Sequence, residues 1–179
     1  MKLCGRWLTS LTVAFALYPG VQAQEKPKEP IATITTGWTY LWADQGANYR
    51  SNLNGWFIRP AVTIGRGYSG FANFTNYYGV NSKGSVNSHG ITFGVSKNIF
   101  THPNVRPSIF AEVGNVRASS AGKITNQLAV AAGASFSFPL AKWVSLAVTP
   151  AEYIFRYPEG DWRNDFNSKV GLSFPIGRR

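Results

Sequence analysis

Along most of this chain apolar residues recur at every second position, and no stretch of useful length follows the 3.6-residue period of an amphipathic helix. The clearest run is the last one. Phe166, Ser168, Val170, Leu172, Phe174 and Ile176 share one face, opposed by Asp165, Asn167, Lys169, Gly171, Ser173 and Pro175. Leu128, Val130, Ala132, Ala134, Phe136 and Phe138 alternate in the same way with Gln127, Ala129, Ala131, Gly133, Ser135 and Ser137. Shorter alternations set Ile34, Trp38, Tyr40 and Trp42 on one face, then Trp56, Ile58, Val62 and Ile64, then Ile91, Phe93 and Val95. Further runs near 71–80, 108–116 and 143–155 complete eight candidate strands of roughly 10–13 residues, about the length a tilted strand needs to cross a bilayer. Adjacent Tyr77 and Tyr78 leave the facing of the third run open.

Period two separates two faces without saying which points inward. A soluble ligand-binding barrel turns its apolar face inward and covers its outside with Lys and Glu. Here the polar face is mostly Ser, Thr, Asn, Gln and Gly, small enough for the narrow interior of an eight-stranded barrel. Aromatic residues gather at strand ends: Trp38, Tyr40, Trp42, Trp56, Tyr153, Phe155 and Tyr157 at one rim, Phe71, Trp143 and Phe174 at the other. Amphipathic rings at both interfaces form the girdles of a lipid-embedded barrel, so the apolar face is read as outward. An open sheet edge in hydrocarbon leaves N–H and C=O groups unpaired at several kcal/mol each. First and last strands must therefore pair. The expected fold is all-β: a closed, eight-stranded, antiparallel up-and-down transmembrane barrel over 31–177. Polar stretches near 43–54, 81–88, 117–126 and 156–164 read as long outer loops, and those near 66–69, 100–106 and 139–142 as short or medium inner turns.

Composition agrees with a chain that does not face water on all sides. Charged and aromatic residues each make up 15%, with 18 glycines, where a soluble domain carries about 25% charge. At the N-terminus Lys2 and Arg6 precede an apolar run from Trp7 to Tyr18, broken by Pro19 and Gly20 and followed by Val21-Gln22-Ala23. That is the layout of a cleaved signal peptide over 1–23, too short to span a bilayer at ~20 residues. Gln24 to Pro30, polar and holding two prolines, reads as a disordered lead-in. The one cysteine, Cys4, precedes the apolar run, so the mature fold rests on no disulfide. Formal charge is +10, spread singly along the chain without a basic run or helix. That spread argues against nucleic acid and for an anionic membrane surface.

The segment Lys169-Val170-Gly171-Leu172-Ser173-Phe174-Pro175-Ile176 resembles the C-terminal assembly signal of outer-membrane proteins, with Lys169, Gly171, Phe174 and Ile176 in the signal positions. That resemblance implies the barrel-assembly machinery as a partner during biogenesis. It departs from the pattern in that Gly177-Arg178-Arg179 follow where an aromatic often ends it. More broadly, with SNLNGW (51–56), RPSIFAEVG (106–114) and AEYIF (151–155), the chain resembles the OmpA-type small outer-membrane β-barrel family. The resemblance implies fold and bacterial outer-membrane location far more than activity. Nothing after Gly177 matches the periplasmic peptidoglycan-binding domain of longer relatives.

Four charges fall on the inward faces: Arg59, Glu112, Lys169 and Glu152. The last does so only if Pro150 marks a bulge near Thr149–Pro150, which shifts the facing by one residue and turns Tyr153 outward. Isolated buried charges are strongly disfavoured, so these four are expected to pair as a lumen ion-pair network. The network reads either as a plug or as a gated, narrow pore. Arg50, Lys83, Arg117, Lys123, Arg156 and Arg163 fall in the outer loops, where they serve solubility or contact lipopolysaccharide phosphates. Outer-membrane lipids and lipopolysaccharide are the expected partners, and a monomer is the expected state. Lipid A modification is the competing enzymatic class. It needs a serine activated by a histidine, and neither His89 nor His102 has a serine two residues on. No metal or cofactor motif appears, leaving a non-enzymatic envelope role as the reading, with a pore or surface-binding protein behind it.

Overall fold

Aromatic and β-branched residues at alternate positions suit a pleated ladder, and each alternating run forms a strand. The computed structural model describes residues 30–46, 49–81, 84–100, 102–120, 122–158 and 160–177. The expected signal peptide (1–23), all of the lead-in except Pro30, and Lys83 lie outside the described residues. The strands are β1 (Ala32–Asp44), β2 (Arg50–Gly65), β3 (Tyr68–Asn81), β4 (Gly84–Asn98), β5 (Arg106–Ser120), β6 (Lys123–Ala141), β7 (Val144–Tyr157) and β8 (Arg163–Ile176). Each pairs antiparallel with the next, and β1 pairs with β8 from Ala32↔Ile176 to Trp42↔Phe166, which closes the barrel. At the closing seam Gly37 lies opposite Gly171. A Cβ on Gly171 would sit 2.3 Å from the Thr36 carbonyl oxygen, so glycine is what lets the two strands approach.

The start of β1 and the end of β8 define a terminal end, with connections at 66–67, 99–105 and 142–143; the distal end has connections at 45–49, 82–83, 121–122 and 158–162. Long polar outer loops are therefore corrected: strands of 13–19 residues run on through most of those stretches. Antiparallel pairing needs only backbone partners, so Asn, Ser and Thr continue a ladder beyond the apolar belt as well as Val does. The turn after β2 places Arg66 and Gly67 at φ 54° and 78°, the doubly positive geometry of a two-residue type I′ hairpin.

Facing follows from which side chains meet. Residues of non-neighbouring strands can touch only across the interior, and the polar face supplies those contacts. Arg59 on β2 reaches Glu112 on β5, and Asn167 on β8 reaches Tyr77 on β3. The alternation is steep along single strands: Trp56 is 48% exposed and its neighbour Phe57 3%. The open third-strand question resolves with Tyr77 inward and Tyr78 outward. The exterior between the rims carries Val62, Ile91, Phe93, Val113, Val130 and Leu172, all exposed. An exposed apolar exterior around an interior that holds charged side chains, beside apolar ones such as Leu41, Leu53 and Ile154, inverts the arrangement of a soluble domain.

One residue in β7 sets the inward charge pattern. Pairing with β8 steps from Thr149↔Lys169 to Glu152↔Asn167, so β7 spends one extra residue there. The same slip appears toward β6. Pro150, with no N–H to offer, sits in this bulge, and its carbonyl oxygen accepts a 2.7 Å hydrogen bond from Ser168 Oγ. Beyond it Glu152 turns inward and is 1% exposed, while Tyr153 turns out against Phe155 and Phe166.

Candidate functional site

The lumen holds three polar layers stacked from the terminal end to the distal end. In the first, Arg59 Nη2 lies 3.4 Å from Glu112 Oε2, and Asn73 Nδ2 donates to Glu112 Oε1 at 3.0 Å. The Arg59 guanidinium carbon lies 4.5 Å from the ring centre of Phe71 and 4.7 Å from that of Phe110. The two rings meet edge to face at 6.1 Å. Aromatic faces carry negative potential, so this clamp holds the cation by cation–π attraction as well as charge pairing. Gly94 makes room for it, since a Cβ there would stand 2.6 Å from the Phe71 ring and 2.7 Å from Glu112 Cβ.

The middle layer is built on β8. Lys169 Nζ lies 2.5 Å from Glu152 Oε2, and Asn167 Nδ2 donates to the same oxygen at 3.2 Å and to Tyr77 Oη at 3.0 Å. Thr39 Oγ1 donates to Asn167 Oδ1 at 2.7 Å. Thr39, Glu152, Asn167 and Lys169 are all buried. The first two layers together hold two cations and two carboxylates, paired as Arg59 with Glu112 and Lys169 with Glu152. These are the four charges singled out in the sequence.

The distal layer centres on Arg156. Its Nε and Nη2 donate to the two oxygens of Asp165, a bidentate pair, while Nη1 donates to Gln127 Oε1 at 2.7 Å and Nη2 to the Asp44 carbonyl at 3.0 Å. Asp165 Oδ1 also accepts the Asp44 N–H at 2.7 Å. This layer corrects the assignment of Arg156 to an outer loop: it is buried, two strand positions beyond Ile154 and in phase with Glu152. The bulge that turns Glu152 inward necessarily does the same for Arg156. Asp165 already stood on the polar face of the last alternating run, so the pair was available from the pattern once the bulge was extended along β7.

The remaining predicted residues divide by facing. Trp38, Tyr40, Trp42, Trp56, Phe155, Tyr157, Trp143 and Phe174 lie on the exterior face, with Trp38 stacked on Tyr40 and Trp143 on Phe174. Phe71 is the exception and is corrected from girdle to lumen clamp, because its strand carries Asn73 and Tyr77 inward in the same phase. Of the assembly-signal positions, Lys169 and Gly171 face inward and Phe174 and Ile176 outward. Arg50 stacks over Trp42, its guanidinium carbon 4.3 Å from the ring centre, and donates to the Asn164 carbonyl. Arg163 donates to the Gln45 carbonyl at 2.9 Å. Arg117 and Lys123 are not in a loop but on β5 and at the start of β6, both exposed. His89 is exposed on β4 opposite Arg117, and His102 lies in the 99–105 connection. Among the described residues no cluster of three or more His, Cys, Asp or Glu is arranged to hold a metal ion.

No protein-family model matches the chain, and a search of curated proteins finds no match. Solved structures do resemble it. Neisserial surface protein A superposes with a TM-score of 0.67 at 15% identity, over 81% of this chain and 97% of that one. Ail, the attachment invasion locus protein of Yersinia pestis, gives 0.51 at 15% identity, over 82% and 99%. The outer membrane protein OprG from Pseudomonas aeruginosa gives 0.51 at 8% identity, over 84% and 98%. What is shared at such identities is the fold: a small, closed, eight-stranded antiparallel barrel of the transmembrane class.

Proposed function

We propose that this protein is an integral barrel of a bacterial outer membrane with a structural role in the envelope, its lumen plugged rather than conducting. One observation carries the reading: an exposed apolar belt surrounds an interior crossed by three layers of paired charges. Such a surface is costly in water and matched to hydrocarbon, while the paired interior satisfies charges that no lipid could. The role is non-enzymatic. The lumen carboxylates are engaged with Arg59, Lys169 and Arg156, and the histidines stand apart from them on the exterior face and in a terminal-end connection. The C-terminal signal residues and the N-terminal signal peptide fit export and assembly by the barrel machinery, and a monomer suffices to close the sheet. Exposed Arg117 and Lys123 on the distal half, with the half-buried Arg50, suit the phosphates of lipopolysaccharide.

Membrane fractionation followed by gel mobility of unheated and boiled samples tests this reading. A heat-sensitive shift in the outer-membrane fraction is expected; recovery of the protein as a soluble periplasmic species overturns it.

A further inference from the structure

The barrel exterior is not uniformly convex. At the seam where β1 meets β8, on the distal side, Tyr40, Trp42, Phe166 and Ser168 line an open groove of about 400 Å³, within the ~300–1,000 Å³ range of small-ligand sites. Register explains the groove. Tyr40 pairs with Ser168 and Trp42 with Phe166, so three large rings surround one small side chain. Ser168 turns its hydroxyl to the Pro150 carbonyl of the bulge, which leaves its hydroxyl engaged away from the cleft and the lining predominantly aromatic. Tyr40 Oη is likewise engaged, donating to Asn52 at 2.8 Å. Arg50 lies beside the groove. Its guanidinium rests on Trp42, the same indole that walls the groove, and is anchored by the Asn164 carbonyl.

We infer that this groove binds one lipid of net negative, phosphate-bearing headgroup in preference to a zwitterionic one, with an acyl chain along Tyr40, Trp42 and Phe166 and the headgroup phosphate on Arg50. The occupant follows from position and charge. The groove is continuous with the apolar belt, so within a bilayer its contents are lipid, and the Arg50 cation resting on its Trp42 wall favours an anionic headgroup. Arginine suits that task because its planar fork pairs two phosphate oxygens at once. The inference rests on the membrane reading above.

The test uses the full mature barrel folded into neutral phosphatidylcholine vesicles, with insertion verified by the heat-sensitive gel shift. Native mass spectrometry after detergent release then counts retained probe lipid across a titration. Dioctanoyl phosphatidylglycerol is expected to bind at one copy per barrel, dioctanoylglycerol at least tenfold more weakly, and inorganic phosphate not to compete at equal concentration. Arg50→Gln is expected to weaken phosphatidylglycerol about tenfold while leaving dioctanoylglycerol unchanged. Ser168→Leu fills the groove and is expected to abolish both, with the gel shift retained. Lys97→Gln, an exposed cation near the terminal end of β4, is expected to change neither. Binding unaffected by Arg50→Gln and Ser168→Leu, or weakened equally by Lys97→Gln, overturns the site while the membrane reading stands. Competition by inorganic phosphate overturns the lipid assignment. A protein that fails to insert at all removes both.

Discussion

Glu152 and Lys169 form an ion pair, Nζ to Oε2 at 2.5 Å, that exists only because β7 carries one residue more than β8 across Thr149–Glu152. Both side chains are almost wholly buried, and Asn167 donates to the same carboxylate oxygen. In phase with Val144 and Val148, without the bulge, Glu152 would lie against hydrocarbon and Lys169 would be stranded inside.

Glu152→Gln therefore removes the charge that compensates Lys169 without removing its volume. We expect a loss of about 3–5 kcal/mol, the cost of leaving a buried partner uncompensated. Pairing Glu152→Gln with Lys169→Met should recover most of it. Urea unfolding from lipid vesicles, followed by gel mobility, measures both; a double variant as unstable as the single one would show that an uncompensated Lys169 is not the source of the loss.

Deleting Pro150 tests the bulge itself. A one-residue slip exchanges every facing beyond it, sending Glu152 and Arg156 toward lipid and Tyr153 and Phe155 inward. The deletion should abolish the heat-sensitive folded band, whereas Pro150→Ser, which keeps the residue count, should retain it. Equal folding of both variants would mean that β7 reaches its register by some other means.

These two residues also mark how far the chain could be read without coordinates. Strand number, closure, the facing of every run but the third and the four central charges were legible, because period-two alternation records which side is wet and Pro150 records where the count slips. Loop lengths were not, since polarity marks departure from the apolar belt and not the end of backbone pairing: Arg117 is polar, yet it continues β5 opposite His89. Phe71 misled for a related reason. An aromatic near a strand end reads as a girdle residue, but its phase with Asn73 and Tyr77 points it at Arg59. The groove at β1–β8 was invisible, because it depends on a cross-strand register that joins residues more than a hundred positions apart.

The aromatic clamp on Arg59 should keep the barrel electrically silent. Wild-type protein in planar bilayers is expected to show no discrete conductance. Truncating the clamp and its cation together (Arg59→Ala, Phe71→Ala and Phe110→Ala) opens the first layer and frees Glu112, and small cation-selective events are expected. Sustained wild-type conductance would count against the plug, and a silent triple variant would assign closure to the Glu152 and Arg156 layers instead.

Arg156 and Asp165 carry the last prediction, which concerns the distal end. Their bidentate pair does more than neutralise two charges, because each partner also grips the end of β1: Arg156 donates to the Asp44 carbonyl and Asp165 accepts the Asp44 N–H. The end of β1 is thus tied from inside the barrel to β7 and β8, and Arg163 adds a further bond to the Gln45 carbonyl. Asp165→Asn keeps the size and one acceptor but removes the countercharge, leaving a buried guanidinium with Gln127 and a backbone carbonyl alone. The expected cost is again about 3–5 kcal/mol. It should be spent locally before it is spent globally, since closure at the β1–β8 seam depends on the ladder from Ala32 to Trp42 and not on this layer. Hydrogen exchange resolves the two. Amides at 43–46, 49–50, 156–157 and 160–164 should exchange at least tenfold faster in Asp165→Asn, while those of Thr35 to Thr39 and Lys169 to Ser173 stay protected. Uniform acceleration would mean that the distal layer supports the whole barrel, and no acceleration would mean that the loops are held by their backbone bonds alone.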